Sequence, residues 1–413
     1  CSTVPMRERG AHRAAMALTM GALFANDPWA RASDEATKLA SPTNSSALPT
    51  AIETDHLPRP EGLGPGAARG ITIGPIESAL HPNRGYGSAA FERSLEEARR
   101  FGATWISVTP FGRVESLRST GIAFTFEEPF DRNRKAVRDA IQRAHAHGLR
   151  VLLVPHLWVE SGGWRGELAP GDDEAWARWS ASYRSFVRAW AEVARDAGAD
   201  MLAAGVELRS WVTTTRAPSF AEIIRELRSV YPGPLTYAAN WDDAEDTVVW
   251  GELDVIGVNG FFPLATRDGA SREELAEGGR AVAARVRQLS ESWNKPVLFT
   301  EFGYTTRANT AVRPWEWPDH MSGVVVDQQA QAEAYAALLA PLMDEPRFLG
   351  AFAWRVYSDP NDMSQEAEWG FSPRGKLAEL VLRDAFAAHW AADGPRPVGT
   401  ALVRPRAERV GVF

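Results

Sequence analysis

From residue 71 to about residue 390 the chain repeats one unit: a short apolar run, a variable loop, an amphipathic helical stretch and a turn back. Apolar runs alternating with helices are the pattern of parallel strands, which are covered on both faces and joined by crossover helices. Strands are predicted at 71–76, 103–109, 150–155, 201–206, 234–239 and 253–258, then from residue 296 and at 348–353. Helices are predicted at 88–100, 131–147, 172–197, from Ser219, and at 271–292, 327–343 and 375–390, with a short helix or turn between the fifth and sixth strands. Gly102, Gly148 and Gly198 follow the first three helices, where a left-handed residue commonly ends a helix. Ser219-Phe220-Ala221-Glu222 and Ser271-Arg272-Glu273-Glu274 read as capping boxes. Eight such units in about 320 residues fit a (β/α)8 TIM barrel. An open doubly wound sheet commonly has fewer strands and a glycine-rich phosphate turn after the first, and no such turn is present here.

In a (β/α)8 barrel the reactive side chains stand at the carboxyl ends of the strands. Two of the apolar runs end on a glutamate: Met201-Leu202-Ala203-Ala204-Gly205-Val206-Glu207 and Pro296-Val297-Leu298-Phe299-Thr300-Glu301. Burying an ionised glutamate there is costly unless it is paired or performs chemistry. The barrel brings the ends of strands four and seven together above its mouth, with carboxyl groups expected about 5 to 5.5 Å apart. A carboxylate pair of this kind cleaves glycosidic bonds: one acid protonates the leaving oxygen, and the other attacks or activates water. The bland alternative makes Glu207 and Glu301 independent salt-bridge partners of nearby arginines such as Arg209 and Arg307.

The net charge of −8 and the lack of any basic stripe exclude a nucleic-acid surface. Cys1 is the only cysteine, so there is no internal disulfide. His156 at the end of strand three has no second His or Cys on neighbouring strand ends, so neither a metal nor a cofactor is expected. Two readings of the amino end stay open. In one, Cys1 carries the lipid anchor of a bacterial lipoprotein. In the other, residues 6–32 form a secretory signal, with a basic start, an apolar run too short to span a bilayer, and Ala30-Arg31-Ala32. Both place the protein outside the cytoplasm. Residues 33–69, rich in Ser, Thr, Pro, Ala and Gly, read as a disordered linker. The expected organisation is therefore 1–69 as signal or tether plus linker, 70–390 as the barrel, and 391–413 as an irregular tail, in a monomer.

Several stretches carry a resemblance: Pro155-His156-Leu157-Trp158 with Gly163-Trp164, Gly205-Val206-Glu207-Leu208, Thr300-Glu301-Phe302-Gly303-Tyr304, and Gly370-Phe371-Ser372-Pro373-Arg374-Gly375-Lys376. Residues 70–390 resemble clan A of the glycoside hydrolases and, within it, glycoside hydrolase family 113. The resemblance implies Glu207 as acid/base, Glu301 as nucleophile, a retaining mechanism, and β-mannan as substrate. Two positions depart from the clan. Val206 stands where an asparagine commonly grips the sugar 2-hydroxyl, and Asn240 at the end of strand five is the candidate substitute. Asn259-Gly260-Phe261-Phe262 lacks the tyrosine that often hydrogen-bonds the nucleophile.

Half of the sixteen tryptophans fall at or just after strand ends: Trp158, Trp164, Trp211, Trp241, Trp315, Trp317, Trp354 and Trp369. Indole faces stack on the C–H faces of sugars while the N–H donates a hydrogen bond. Substrate contacts are expected from His156, Trp158, Trp164, Asn240, Trp241, Asn259, Tyr304 and Trp354, with Trp354 as the leading platform. Glu77 and Glu160 are reserve carboxylates, with Arg113 as a salt-bridge partner for either. The function read from the sequence is an exported glycoside hydrolase acting on a β-linked polysaccharide or oligosaccharide. A non-catalytic carbohydrate-binding barrel of the cell envelope is the rival, and turnover separates the two.

Overall fold

The computed structural model describes residues 59–75, 83–126, 128–317, 322–361 and 368–395. Cys1, the residues read as a signal, the linker to residue 58, Glu77 and the tail from residue 396 lie outside them. Ten strands follow in chain order: β1 (Ala68–Gly74), β2 (Trp105–Val108), β3 (Phe111–Val114), β4 (Arg150–Leu153), β5 (His156–Val159), β6 (Met201–Val206), β7 (Leu235–Asn240), β8 (Ile256–Asn259), β9 (Val297–Phe302) and β10 (Phe348–Tyr357). Eight of them close into a parallel barrel in the order β1-β2-β4-β6-β7-β8-β9-β10, and β10 pairs back onto β1. The (β/α)8 architecture expected from the repeat is present.

Every residue of β1, β6, β7 and β9 is buried, as a strand between an interior and a ring of helices must be. A distinct inner cluster includes Trp105, Leu152, Ala203, Ala238, Leu298 and Phe352. Small alanines from β6 and β7 leave room for Trp105 and Phe352, which meet edge to face at 6.2 Å. Gly70 completes this fit, since a Cβ there would sit 2.3 Å from the Phe352 ring.

The helices are α1 (Ala89–Arg100), α2 (Phe130–Ala146), α3 (Asp173–Ala197), the single turn α4 (Arg209–Val212), α5 (Ala217–Val230), α6 (Arg272–Trp293), α7 (Gln328–Met343) and α8 (Leu377–Ala387). Only a 3-10 turn, Trp250–Glu252, joins β7 to β8. Ser88, Asp172, Ser271 and Asp327 cap their helices through side-chain oxygens, and the Ser271–Glu274 capping box forms. The Ser219 box does not. With Pro218 suited to the first helical turn, α5 starts at Ala217, and the Ser219 hydroxyl instead donates to the Arg216 carbonyl and accepts from Trp211 Nε1.

Two strands run differently from expectation. The third barrel strand stops at Leu153, and His156 opens β5 rather than closing that strand. Pro110 and Pro155 each lack an N–H, so they interrupt the ladders of β2 and β4. Beyond them β3 and β5 pair with each other as a small parallel sheet continuing from the barrel's carboxyl end. β10 runs on to Tyr357, so Trp354 lies within the strand and not at its last position.

At the opposite end, Asp393 joins the two ends of the barrel. It accepts from Arg69 Nη1 at 2.9 Å, from the Ala67 amide at 2.7 Å and from the Trp390 amide at 2.8 Å. Partial burial opposes ionisation, but these donors hold its carboxyl down to about 2. Leu63, in the stretch read as linker, is buried. Among the described residues no helix is long and apolar enough to cross a membrane.

Candidate active site

Glu207 follows the last residue of β6 with φ at 50°, a left-handed conformation uncommon for a residue with a side chain. The turn is held by its amide, which donates to the Ala238 carbonyl at 2.8 Å, and by the Leu208 amide, which donates to the Tyr237 hydroxyl at 2.6 Å. The Glu207 carboxyl is buried. Trp164 Nε1 donates to its Oε2 at 2.9 Å, and Asn259 Nδ2 donates to its Oε1 at 2.9 Å. Both donors are themselves fixed. The Thr300 hydroxyl donates to Asn259 Oδ1 at 2.8 Å, which leaves the amide nitrogen facing Glu207. The Arg209 guanidinium lies 4.5 Å over the Trp164 ring and is anchored by Asp242 and Asp243.

Glu301 stands on β9 in register with Asn259 of β8, which brings it beside the residue that grips Glu207. It is also buried, and its Oε1 has no hydrogen-bond partner among the described residues. His156 Nε2 is 3.4 Å from that oxygen. Burial above all, then Arg165 and Arg355, pushes the His156 pKa well below its ordinary value, so the ring is neutral and the contact is not an ion pair. The Glu301 pKa is raised well above the carboxylate range, first by burial and then by the charge of Glu207, while Arg165 and Arg355 work against the rise.

Arg165 links the two halves, with Nη2 3.5 Å from Glu207 Oε2 and 3.4 Å from His156 Nδ1. Neither arginine named for the salt-bridge alternative meets a glutamate of the pair. Arg209 serves Asp242 and Asp243, and Arg307 pairs with Glu316. Trp354 stacks at 27° on His156, with ring centroids 6.3 Å apart, and forms one wall. Trp241 stacks on Trp315 at 5.1 Å. Trp158 is half-buried on β5 and meets Phe126 edge-on. Asn240 is wholly buried in register with Asn259. Its amide donates to Asp242, and its Oδ1 has no hydrogen-bond partner among the described residues.

Three expectations do not match the geometry. Tyr304 is fully buried, with its hydroxyl donating to the Phe262 carbonyl at 2.9 Å, so it supports the wall and offers nothing to a ligand. Trp211 belongs to the aromatic core with Trp176, Tyr183 and Phe220. Trp164 spends its N–H on Glu207 and one ring face on Arg209, which makes it a positioning group and not a platform. Glu160 pairs with Arg113 as a loop salt bridge. Sequence reading missed Arg165, Arg355, Thr300 and the Asp242–Asp243 pair. The two adjacent acids after strand five were the available signal for the last.

Asp243 is a second unusual carboxyl. Burial pushes its pKa up to about 7, with Arg209 opposing and Asp242 and Glu207 adding to the rise. A carboxyl raised above its ordinary 3.8 stabilises the fold while protonated, and that contribution is lost as pH rises from about 4 through about 7. Asp243→Asn should therefore gain stability relative to the wild type across that window, by up to about 4 kcal/mol. Urea denaturation at a series of pH values measures the difference, and a pH-independent difference would contradict the assignment.

Among the described residues no group of three or more His, Cys, Asp or Glu could hold a metal ion. A closed parallel barrel with two buried glutamates at the carboxyl ends of its fourth and seventh strands has the architecture of a glycoside hydrolase. Residues 79–376 match the model of Glycoside Hydrolase Family 113, and the chain belongs to that family. Among solved structures it is similar to the GH113 β-mannanase of Alicyclobacillus acidocaldarius, at 25% identity and a TM-score of 0.67 over 79% of this chain and 99% of that one. A GH113 β-1,4-mannanase at 20% identity has a TM-score of 0.67 over 78% of this chain and 99% of that one. The Ruminococcus gnavus β-glucuronidase, at 16% identity and a TM-score of 0.54 over 79% of this chain and 52% of that one, shares the fold. No curated protein matches the chain.

Proposed function

We propose that the protein is a retaining glycoside hydrolase of β-1,4-mannan, with Glu301 as nucleophile and Glu207 as acid/base. The observation that carries this reading is the pairing of two buried glutamates through shared neighbours, Asn259 and Arg165. In the first step Glu301 attacks the anomeric carbon while the glycosidic C–O bond breaks, and the Glu207 proton passes to the leaving oxygen. In the second, Glu207 takes a proton from water, which displaces Glu301 and regenerates both groups. The productive state has the single negative charge on Glu301; the guanidiniums of Arg165 and Arg355 favour it there, against burial and the charge of Glu207. Family membership and the similarity to the Alicyclobacillus β-mannanase support mannan. Product masses from β-mannan, β-glucan, xylan and chitosan oligosaccharides test the substrate. Proton NMR of the first-formed anomer tests retention, and an inverted first product would remove Glu301 as nucleophile.

The pH profile follows from the Glu301 environment. Because its pKa is raised, the acid limb of kcat/KM should lie above the ordinary carboxylate range, within a bell-shaped profile. Arg165→Met removes a positive charge that lowers that pKa, so the limb should move further up. An unmoved or downward-shifted limb would contradict the charge arrangement. The proposal includes export, motivated by residues 6–32 and Cys1. Intact-mass measurement on native envelope material should find lipid at Cys1 or an amino end removed before about Ser33, and an unmodified full-length form would contradict both.

A further inference from the structure

Two acidic residues after β7 and an arginine after β6 stand behind the acid/base. Arg209 Nε donates to Asp243 Oδ2 at 2.9 Å, and its Nη2 pairs with Asp242. Asp242 is held in turn by the amide of Asn240. Asp243 and Asn240 are buried, which sets this cluster apart from an exposed ion pair of little worth. The end of β7 also fixes the backbone at the acid/base. The Ala238 carbonyl accepts from the Glu207 amide, and the Tyr237 hydroxyl accepts from the Leu208 amide. Arg209 and Glu207 are therefore anchored to one scaffold.

What Arg209 does from there is set by Trp164. Its guanidinium carbon lies 4.5 Å over the indole, within the range at which a ring face attracts a cation. The indole N–H donates to Glu207 Oε2 at 2.9 Å. A cation over the ring draws electron density from it and makes the N–H a stronger donor, as linked polar groups polarise one another. Gly166 completes the seat, since a Cβ there would stand 2.4 Å from Trp164 Cη2. Its φ is outside the left-handed region, so an alanine at this position would meet the ring without straining the backbone. When Glu207 gives up its proton, negative charge develops on a carboxyl already facing this donor. Donors arranged beforehand cost no reorganisation as the charge appears.

We propose that Arg209, fastened by Asp242 and Asp243, is a positioning residue for acid catalysis: acting through Trp164, it stabilises the Glu207 carboxylate as the proton passes to the leaving oxygen. The inference rests on the proposed hydrolase reading and adds the side chains that set the strength of its acid.

The signature is a dependence on the leaving group. Mannohexaose releases a sugar alkoxide and needs the proton, whereas a dinitrophenyl β-mannobioside releases an acidic phenol and does not. Arg209→Met should lower kcat/KM on mannohexaose about tenfold, part of the roughly 10² to 10⁴ that a general acid supplies, and leave the aryl substrate within about twofold. Gly166→Ala, which displaces the ring and leaves every charge in place, should show the same split. It decides the question if thermal unfolding finds Arg209→Met poorly folded. In a Trp164→Phe background, which lacks the N–H, Arg209→Met should cost nothing further. Equal losses on both substrates, no loss on either, or losses that simply add across the double variant would overturn the proposal while the hydrolase reading stands. If Glu207→Gln cleaves mannohexaose as well as the wild type does, the acid assignment fails. If the wild type cleaves neither substrate, the mannan hydrolase reading itself fails.

Discussion

Glu301→Ala should reduce turnover of β-mannan oligosaccharides by about 10⁴-fold or more, because no covalent intermediate can form without the nucleophile. Its stability should not fall in parallel. The Glu301 carboxyl is buried with an oxygen that has no hydrogen-bond partner among the described residues, and burial and Glu207 both raise its pKa. Removing such a group relieves desolvation and like-charge repulsion. A purely structural glutamate would behave in the opposite way, losing stability first and activity as a consequence. Steady-state kinetics beside thermal unfolding of the same variant separates the two, and near-normal activity would end the assignment.

Removing the acid should show a different signature. On natural oligosaccharides, whose leaving group is a sugar alkoxide, a Glu207 variant should lose about 10² to 10⁴ in rate. On an aryl mannoside with an acidic phenol, the first step needs little proton donation and should be largely spared. The glycosyl-enzyme then accumulates for want of a base. Azide, which attacks without deprotonation, should restore part of the turnover and yield a mannosyl azide of retained configuration. Glu207→Ala leaves Trp164 Nε1 and Asn259 Nδ2 without their acceptor, at a cost of about 1 to 3 kcal/mol each. Glu207→Gln preserves an acceptor oxygen and serves as the folded control. Equal losses on activated and natural substrates, with no azide effect, would refute the acid/base role.

The barrel was legible because its information is local: apolar runs, amphipathic helices, caps and left-handed glycines recur at the scale of one unit. The positions of Glu207 and Glu301 were legible for the same reason, since each ends an apolar run. What surrounds them was not. Strands buried on both faces carry no alternation, so the sequence of β9 does not show that Thr300 turns toward Asn259 or that Tyr304 is sealed into the wall. The Asn259–Glu301 pairing follows a register shift after Val258, and such a shift leaves no trace in either strand alone. Tryptophan placement misled for a related reason. Trp211 follows a strand run, yet it packs under α5 residue Phe220. The β3–β5 sheet was hidden by Pro110 and Pro155, which look like strand ends and are only interruptions.

The clasp around Asp393 sets the direction in which the enzyme faces. Arg59, Ala67 and Arg69 from one end of the domain meet Ala388, Trp390, Ala392 and Asp393 from the other. All lie at the amino-terminal rim, under the floor of the barrel, whereas the glutamates open at the carboxyl-terminal rim. Residues 59 and 395 therefore both lie on the underside. A fusion partner or an immobilising tag joined at either residue is attached on the face opposite the two glutamates, so a protein held in place by it can still meet a polymer too large to diffuse.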